Sequence, residues 1–238
     1  MLNTILLPQG ISRRENLYMK KNTGKIFAIG DIHGCYDKLI SLMDRLPFDL
    51  HSDTLIFLGD YINRGSQSKE VIEYLLKLKQ SSENIIFLKG NHEHALLEYA
   101  QTKDQEYLRL LRSMDVEPTL KSYSDAKFQS LSDLGFLPPA HLDFLNGLLT
   151  YYKTDDYLFI HAGVIPGEDP DGCSLDRLLS VRDTFLRYEH KLGYTVVFGH
   201  TPFEMPLVAP GMIGIDTGAV YGNMLTAVLL PDLRFFHA

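Results

Sequence analysis

Five clusters of Gly, Asp, Asn and His carry the side chains able to do chemistry in this chain. They are Gly30-Asp31-Ile32-His33-Gly34, Gly59-Asp60-Tyr61-Ile62-Asn63-Arg64-Gly65, Gly90-Asn91-His92-Glu93, His161-Ala162-Gly163 and Gly199-His200-Thr201. Carboxylate, imidazole and amide oxygen together suit first-row divalent ions such as Mn, Fe, Co or Zn. Asp31 and His33 are one residue apart, so both can leave the end of a strand toward the same point. The flanking glycines permit sharp turns and a close approach of backbone to the site. A single Gly-Asp or His-Gly is usually only a turn. Five such clusters, each directly after an apolar run, point instead to a metal centre.

The runs that must position these clusters are Ile26–Ile29, Leu55–Leu58, Ile85–Leu88, Leu158–Ile160 and Val196–Phe198, followed by Met212–Ile215 and Leu225–Leu230. Short, rich in Ile, Val, Phe and Leu, and bounded by turn formers, they read as strands buried on both faces. Helices are expected over Tyr36–Leu46 and Ser68–Lys79, each with one broad apolar face. Strand alternating with helix predicts an α/β fold whose strand ends face a common crevice. The stretch 94–150 breaks the rhythm. It offers helical fragments at Ala95–Ala100, Gln105–Ser113, Lys127–Leu134 and His141–Leu149 and no convincing strand, which suggests a helical cap inserted over the pocket. Residues 1–24 read as a polar N-terminal extension preceding one domain over 25–238.

The chain has 238 residues, 45% apolar and 22% charged, with a formal net charge of −7. That balance argues against a broad nucleic-acid or anionic-membrane surface. No stretch approaches the ~18 apolar residues of a membrane span. Cys35 and Cys173 match no zinc spacing and read as free thiols. The expectation is a soluble cytoplasmic protein that attracts an anionic substrate locally.

The ordered motifs resemble those of the phosphoprotein phosphatase family of calcineurin-like dinuclear metallophosphoesterases, especially its small bacterial Ser/Thr members. The family pattern is GDxHG, GDxxDRG, GNHE, then His-Ala-Gly or His-Gly and a final histidine. The resemblance runs from about Lys25 to Leu230 and is least secure in the helical middle. It implies a sandwich of two mixed sheets flanked by helices. It also implies two divalent metals, Mn foremost, with Fe, Zn or Co also suited. Asp31, His33 and Asp60 would hold the first metal; Asp60 would bridge to the second, completed by Asn91, His161 and His200. A metal-bridging hydroxide would attack phosphorus. Arg64 and Arg182 would grip the phosphate, His92 would protonate the leaving oxygen, and Tyr221 would line the pocket.

One position departs from the family. The aspartate that normally supports the general-acid histidine is Asn63 here. Asn keeps a hydrogen bond but supplies no charge, so His92 should be a weaker acid and the enzyme should prefer good leaving groups such as aryl phosphates. Glu93 and Asp37 are expected to be structural, Cys35 to pack, and His51, His94, His141, His190 and His237 to lie outside the chemistry. The implied activity is hydrolysis of phosphoserine or phosphothreonine, ahead of phosphotyrosine, in proteins or small phosphoesters. Glu93 as the fourth residue of its motif favours that reading. Asn63 favours a symmetrical dinucleoside tetraphosphate hydrolase, and a catalytically silent phosphate-binding or scaffold protein is a third reading.

Overall fold

Each apolar run alternates its side chains between two different cores, and that alternation builds the molecule. A computed structural model describes residues 24–123 and 127–238, so the N-terminal extension lies almost wholly outside the described residues. The chain begins with β1 (Ile26–Ile29), α1 (Tyr36–Met43), β2 (Thr54–Phe57), α2 (Ser68–Ser81) and β3 (Ile85–Phe87). A helical stretch follows: α3 (Asn91–Thr102), α4 (Gln105–Ser113), α5 (Glu117–Ser122), a 3-10 turn at Phe128–Ser132 and α6 (Pro139–Asn146). Then come β4 (Tyr151–Lys153), β5 (Tyr157–Ile160), α7 (Leu175–Ser180), α8 (Asp183–Arg187), β6 (Thr195–Phe198), β7 (Leu207–Ala209), β8 (Met212–Gly214), β9 (Thr226–Leu230) and β10 (Arg234–His237).

Two mixed five-stranded sheets result, ordered β10-β9-β1-β2-β3 and β4-β5-β6-β8-β7. In the first, β1, β2 and β3 run parallel and β9 pairs antiparallel to β1; in the second, β5, β6 and β8 run parallel. Because side chains alternate along a strand, Ala28, Ile56, Phe159 and Val197 meet between the sheets. Their neighbours Phe27, Ile29, Leu55 and Phe57 face outward onto α1, α2 and the helices that follow. Leu158, Ile160, Val196 and Phe198 face α7 and α8 on the opposite side. Strands buried on both faces read as continuous apolar runs, which is why these were visible in the sequence.

The strands that escaped the sequence reading, β4, β7 and β10, all lie at sheet edges. β7 and β10 are only half covered, so they carry no unbroken apolar signal. The helix expected over His141–Leu149 instead spans Pro139–Asn146, and Leu149 bridges to Leu88 at the end of the first sheet. The segment expected as Lys127–Leu134 is a 3-10 turn. Leu96, Leu111, Leu120, Leu131 and Phe144 of the helical stretch share one apolar cluster with Phe27 and Phe57, so this stretch is anchored on the outer face of the first sheet. Among the described residues no helix is long and apolar enough to cross a membrane.

Candidate active site

The carboxyl ends of β1, β2, β5 and β6, together with the first turn of α3 after β3, bring the five clusters to one place. Asp31, His33, Asp60, His92, His161 and His200 are all buried there. The connecting loops are strained: His33, Asp60, Asn63, Arg64 and His200 have φ of 46°, 52°, 70°, 67° and 63°. Non-glycine residues in this left-handed region cost of order 1–3 kcal/mol each and persist only where contacts over-determine them. Those contacts are present. Asp60 O accepts from the backbone N–H of Ile32 and His33 at 3.1 and 2.8 Å. The Glu93 carboxylate accepts from the N–H groups of Gly90, Asp60, Tyr61 and Ile62 at 2.8–3.2 Å. Glu93 is thus a fastener between two loops, the structural part anticipated for it.

Backbone carbonyls fix two of the imidazole tautomers. His33 Nδ1–H donates to Ile62 O at 3.1 Å, and His161 Nδ1–H donates to Leu58 O at 2.9 Å. A carbonyl can only accept, so each Nε2 presents a lone pair inward. His33 Nε2 lies 3.4 Å from Asp60 Oδ2, and His161 Nε2 lies 3.5 Å from Asp60 Oδ1. Asn91 Oδ1 sits 2.9 Å from His161 Nε2 and 3.0 Å from His200 Nδ1. The His161 lone pair and the Asn91 oxygen therefore face each other with no proton between them. Asp31 Oδ2 accepts from His200 N at 2.9 Å, while its buried Oδ1 has no hydrogen-bond partner among the described residues.

Electrostatics carry the same message. Burial, with Asp216 and Asp60 nearby, pushes the Asp31 carboxyl well above the ordinary range, and burial pushes Asp60 to about 7. Burial holds His33 at about 3, aided by the Arg64 charge, and His161 at about 4. Converging lone pairs, an orphaned carboxylate oxygen and carboxylates short of compensating charge fit divalent cations well. Among the described residues two triplets bring ligand atoms within 4.8 Å of one another: His33, Asp60 and His92, and Asp60, His161 and His200.

The groups expected to bind phosphate are also present. Arg64 Nη1 lies 2.6 Å from His33 Nε2, and the Arg64 guanidinium lies 5.5 Å from the ring centre of exposed Tyr221. Arg182 Nε donates to His200 Nε2 at 2.9 Å, from the junction of α7 and α8.

Three participants had no motif to announce them. Buried Asp216, just after β8, adds a third carboxylate beside the cluster. Thr119 on α5 accepts from Asn63 N–H at 2.8 Å and contacts Asn63 Oδ1 at 3.0 Å. Buried Ser68, at the start of α2, contacts Thr119 Oγ1 at 2.9 Å.

The hydrogen bonds along that chain bear on the state of His92. Ser68 Oγ pairs with Thr119 Oγ1 at 2.9 Å, so one of the two hydroxyls donates across that contact. Thr119 has one proton, and it goes to Asn63 Oδ1. The Asn63 amide therefore turns its Nδ2–H toward His92 Nδ1, 3.0 Å away. His92 accepts at Nδ1 and carries its proton on Nε2, 3.7 Å from Asp60 Oδ2.

Comparisons with known proteins identify the family of this fold. The model of the calcineurin-like phosphoesterase family matches residues 24–222. A bis(5'-nucleosyl)-tetraphosphatase PrpE (asymmetrical) of Bacillus velezensis is 30% identical, over 86% of this chain and 88% of its own length. The protein of the same description from a Geobacillus species is 32% identical, over 88% of this chain and 92% of its own. In fold, the chain is similar to a solved candidate diadenosine tetraphosphatase, with a TM-score of 0.70 at 24% identity, covering 92% of this chain and 95% of that one. With its motifs, its two-sheet architecture and its convergent ligand cluster in agreement, the chain belongs to the calcineurin-like phosphoesterase family.

Proposed function

We propose that this chain is a metal-dependent hydrolase of phosphoanhydrides, and that its substrate is a dinucleoside tetraphosphate. The observation that carries the reading is the Asn63–His92 hydrogen bond. A neutral imidazole with its proton on Nε2 can donate a hydrogen bond to a departing oxygen, but giving the proton away would leave a strongly basic imidazolate. An alkoxide leaving from phosphoserine needs that proton. A nucleotide phosphate does not, because its second pKa is near 6 and it departs stably as an anion. The relatives described as bis(5'-nucleosyl)-tetraphosphatases support the same choice. The case for phosphoprotein hydrolysis rested on Glu93, whose carboxylate is spent on loop N–H groups and does not bear on the substrate. That reading ranks second.

In this scheme Asp31, His33 and Asp60 would hold one divalent metal, and Asp60, Asn91, His161 and His200 would hold the other. Mn is the first ion to supply, with Fe, Zn or Co also suited to the donors. Two such ions would supply Lewis acidity and a nucleophilic hydroxide at neutral pH. His92 is kept out of the ligand set as the group that faces the departing oxygen. Arg64 and Arg182 donate paired hydrogen bonds to the phosphate oxygens, Tyr221 backs Arg64, and the helices of 94–150 cap the site. With Asp216 included, the formal negative charge cancels what two metals would leave over, so these arginines provide the net attraction for an anion.

The test is product analysis on protein reconstituted with Mn²⁺, using diadenosine tetraphosphate and a phosphoserine peptide. The reading expects dinucleotide turnover to exceed peptide turnover. Mono- plus triphosphate products mean asymmetrical cleavage, and two diphosphates mean symmetrical cleavage. Peptide dephosphorylation faster than dinucleotide cleavage would sink it.

A further inference from the structure

A cavity of about 540 Å³ opens from the cluster between α3, α4 and α7. Small-molecule sites are typically of this size. At its inner end are Asn91, His200 and Arg182, the residues on one side of the proposed phosphate site. Its wall is apolar and aromatic, formed by Tyr107, Leu110, Met114 and Leu179, whereas Asp104, Glu106 and Asp176 line it farther out. Leu110 is 40% exposed, a large apolar side chain left open to the cleft. Asp176 Oδ1 is held by His94 Nε2 at 3.0 Å and by Tyr107 Oη at 2.9 Å, which fixes both the carboxylate and the tyrosine ring in the wall.

We propose that this cleft is a subsite for a nucleoside attached to the phosphate chain; the proposal rests on the phosphoanhydride reading above and names the group that reading leaves unplaced. The charge along the cleft sets the ligand's polarity. Its anionic end belongs beside Arg182, and what lies outward must be uncharged or rich in hydrogen-bond donors. A bare polyphosphate fails, because three carboxylates repel its far end. A nucleoside fits: a flat ring packs on Tyr107, Leu110 and Met114, while ribose hydroxyls and an exocyclic amine donate to the carboxylates. The cleft therefore selects the flanking group while the metal cluster handles the phosphorus.

The experiment compares diadenosine tetraphosphate with inorganic tripolyphosphate, which has the anhydride but no nucleoside, on Mn²⁺-loaded full-length protein. The variants are Tyr107→Ala, Tyr107→Phe and Leu110→Gln; Leu110 is exposed enough for its variant to fold. The readout is the ratio of kcat/KM for the dinucleotide to that for tripolyphosphate. Tyr107→Ala and Leu110→Gln should each lower the ratio about tenfold, through KM, and Tyr107→Phe, which keeps the ring but loses its tether to Asp176, should lower it less. An unchanged ratio in Tyr107→Ala and Leu110→Gln overturns the subsite while leaving the anhydride reading intact. So does a loss confined to a basic phosphoserine peptide. If the wild type cleaves neither anhydride, the anhydride reading falls, and titration with adenosine monophosphate then decides the subsite. Binding weakened by Tyr107→Ala sustains it, and no binding, or equal binding to both proteins, overturns it.

Discussion

The side-chain amide of Asn63 donates to Nδ1 of His92 across 3.0 Å, and a hydroxyl on a different element, Thr119, holds the amide in that orientation. An aspartate at position 63 would do the reverse, accepting from Nδ1–H and favouring the imidazolium. The substitution therefore changes which proton His92 carries as well as how acidic it is. The sequence alone had suggested a weakened acid. In the proposed scheme it is a hydrogen-bond donor that does not release its proton.

Thr119→Val removes the hydroxyl while keeping the shape. It strands Ser68 Oγ–H and Asn63 N–H, both buried, at a cost of about 1–3 kcal/mol for a lost buried partner. The urea midpoint should fall with m unchanged. Because Asn63 and His92 act on the chemical step, kcat for the dinucleotide should fall about tenfold, equivalent to 1.4 kcal/mol, with KM held. A raised KM at constant kcat would place Thr119 in substrate binding instead.

Glu93→Gln should be more damaging than an ordinary amide replacement. The carboxylate accepts from four backbone N–H groups, and the glutamine NH₂ would face some of them. Hydrogen bonds to a charged group contribute about 1.5–3 kcal/mol each, so a loss of at least about 2 kcal/mol is expected in equilibrium unfolding. A near-neutral result would mean that the strained loop at 59–65 holds itself.

Metal affinity should depend on pH with a definite sign. Burial raises both Asp31 and Asp60 above the ordinary carboxylate range, so at mildly acid pH they hold protons that a cation must displace. His33 and His161, held at about 3 and about 4, have no proton to lose in this range. Affinity for Mn²⁺ should therefore rise with pH while these carboxylates lose their protons, by about tenfold per pH unit for each proton displaced. Calorimetry at pH 6 and pH 8 in buffers of different ionisation enthalpy would show tighter binding at pH 8 and more proton release at pH 6. Equal affinity and equal proton release at both would contradict this.

What was legible in the sequence follows from how the site is built. Asp31, His33, Asp60, Asn91, His161 and His200 each follow directly on a strand buried on both faces, so position along the chain nearly determines position in space. Thr119 and Asp216 lie in no such pattern. Thr119 sits on a six-residue helix that reaches Asn63 only because Leu120 and Val116 pack into the apolar cluster on the first sheet. The cleft between α3, α4 and α7 was equally hidden, since Tyr107 and Asp176 are 69 residues apart and meet because α4 and α7 both pack on α3. Local chemistry was readable, but the tautomer of His92 was not.

The central claim is tested most directly by the dependence of rate on leaving-group basicity. kcat/KM would be measured for a series of aryl and alkyl phosphates with the wild type and with Asn63→Asp, both loaded with Mn²⁺. With His92 unable to release its proton, the wild-type rate should fall steeply as the leaving group becomes more basic. Asn63→Asp should flatten that slope and raise alkyl phosphate turnover by about 10²-fold or more, the lower end of what general acid catalysis contributes. Parallel slopes for the two proteins, with no gain on alkyl esters, would show that the Asn63–His92 bond does not set the substrate class.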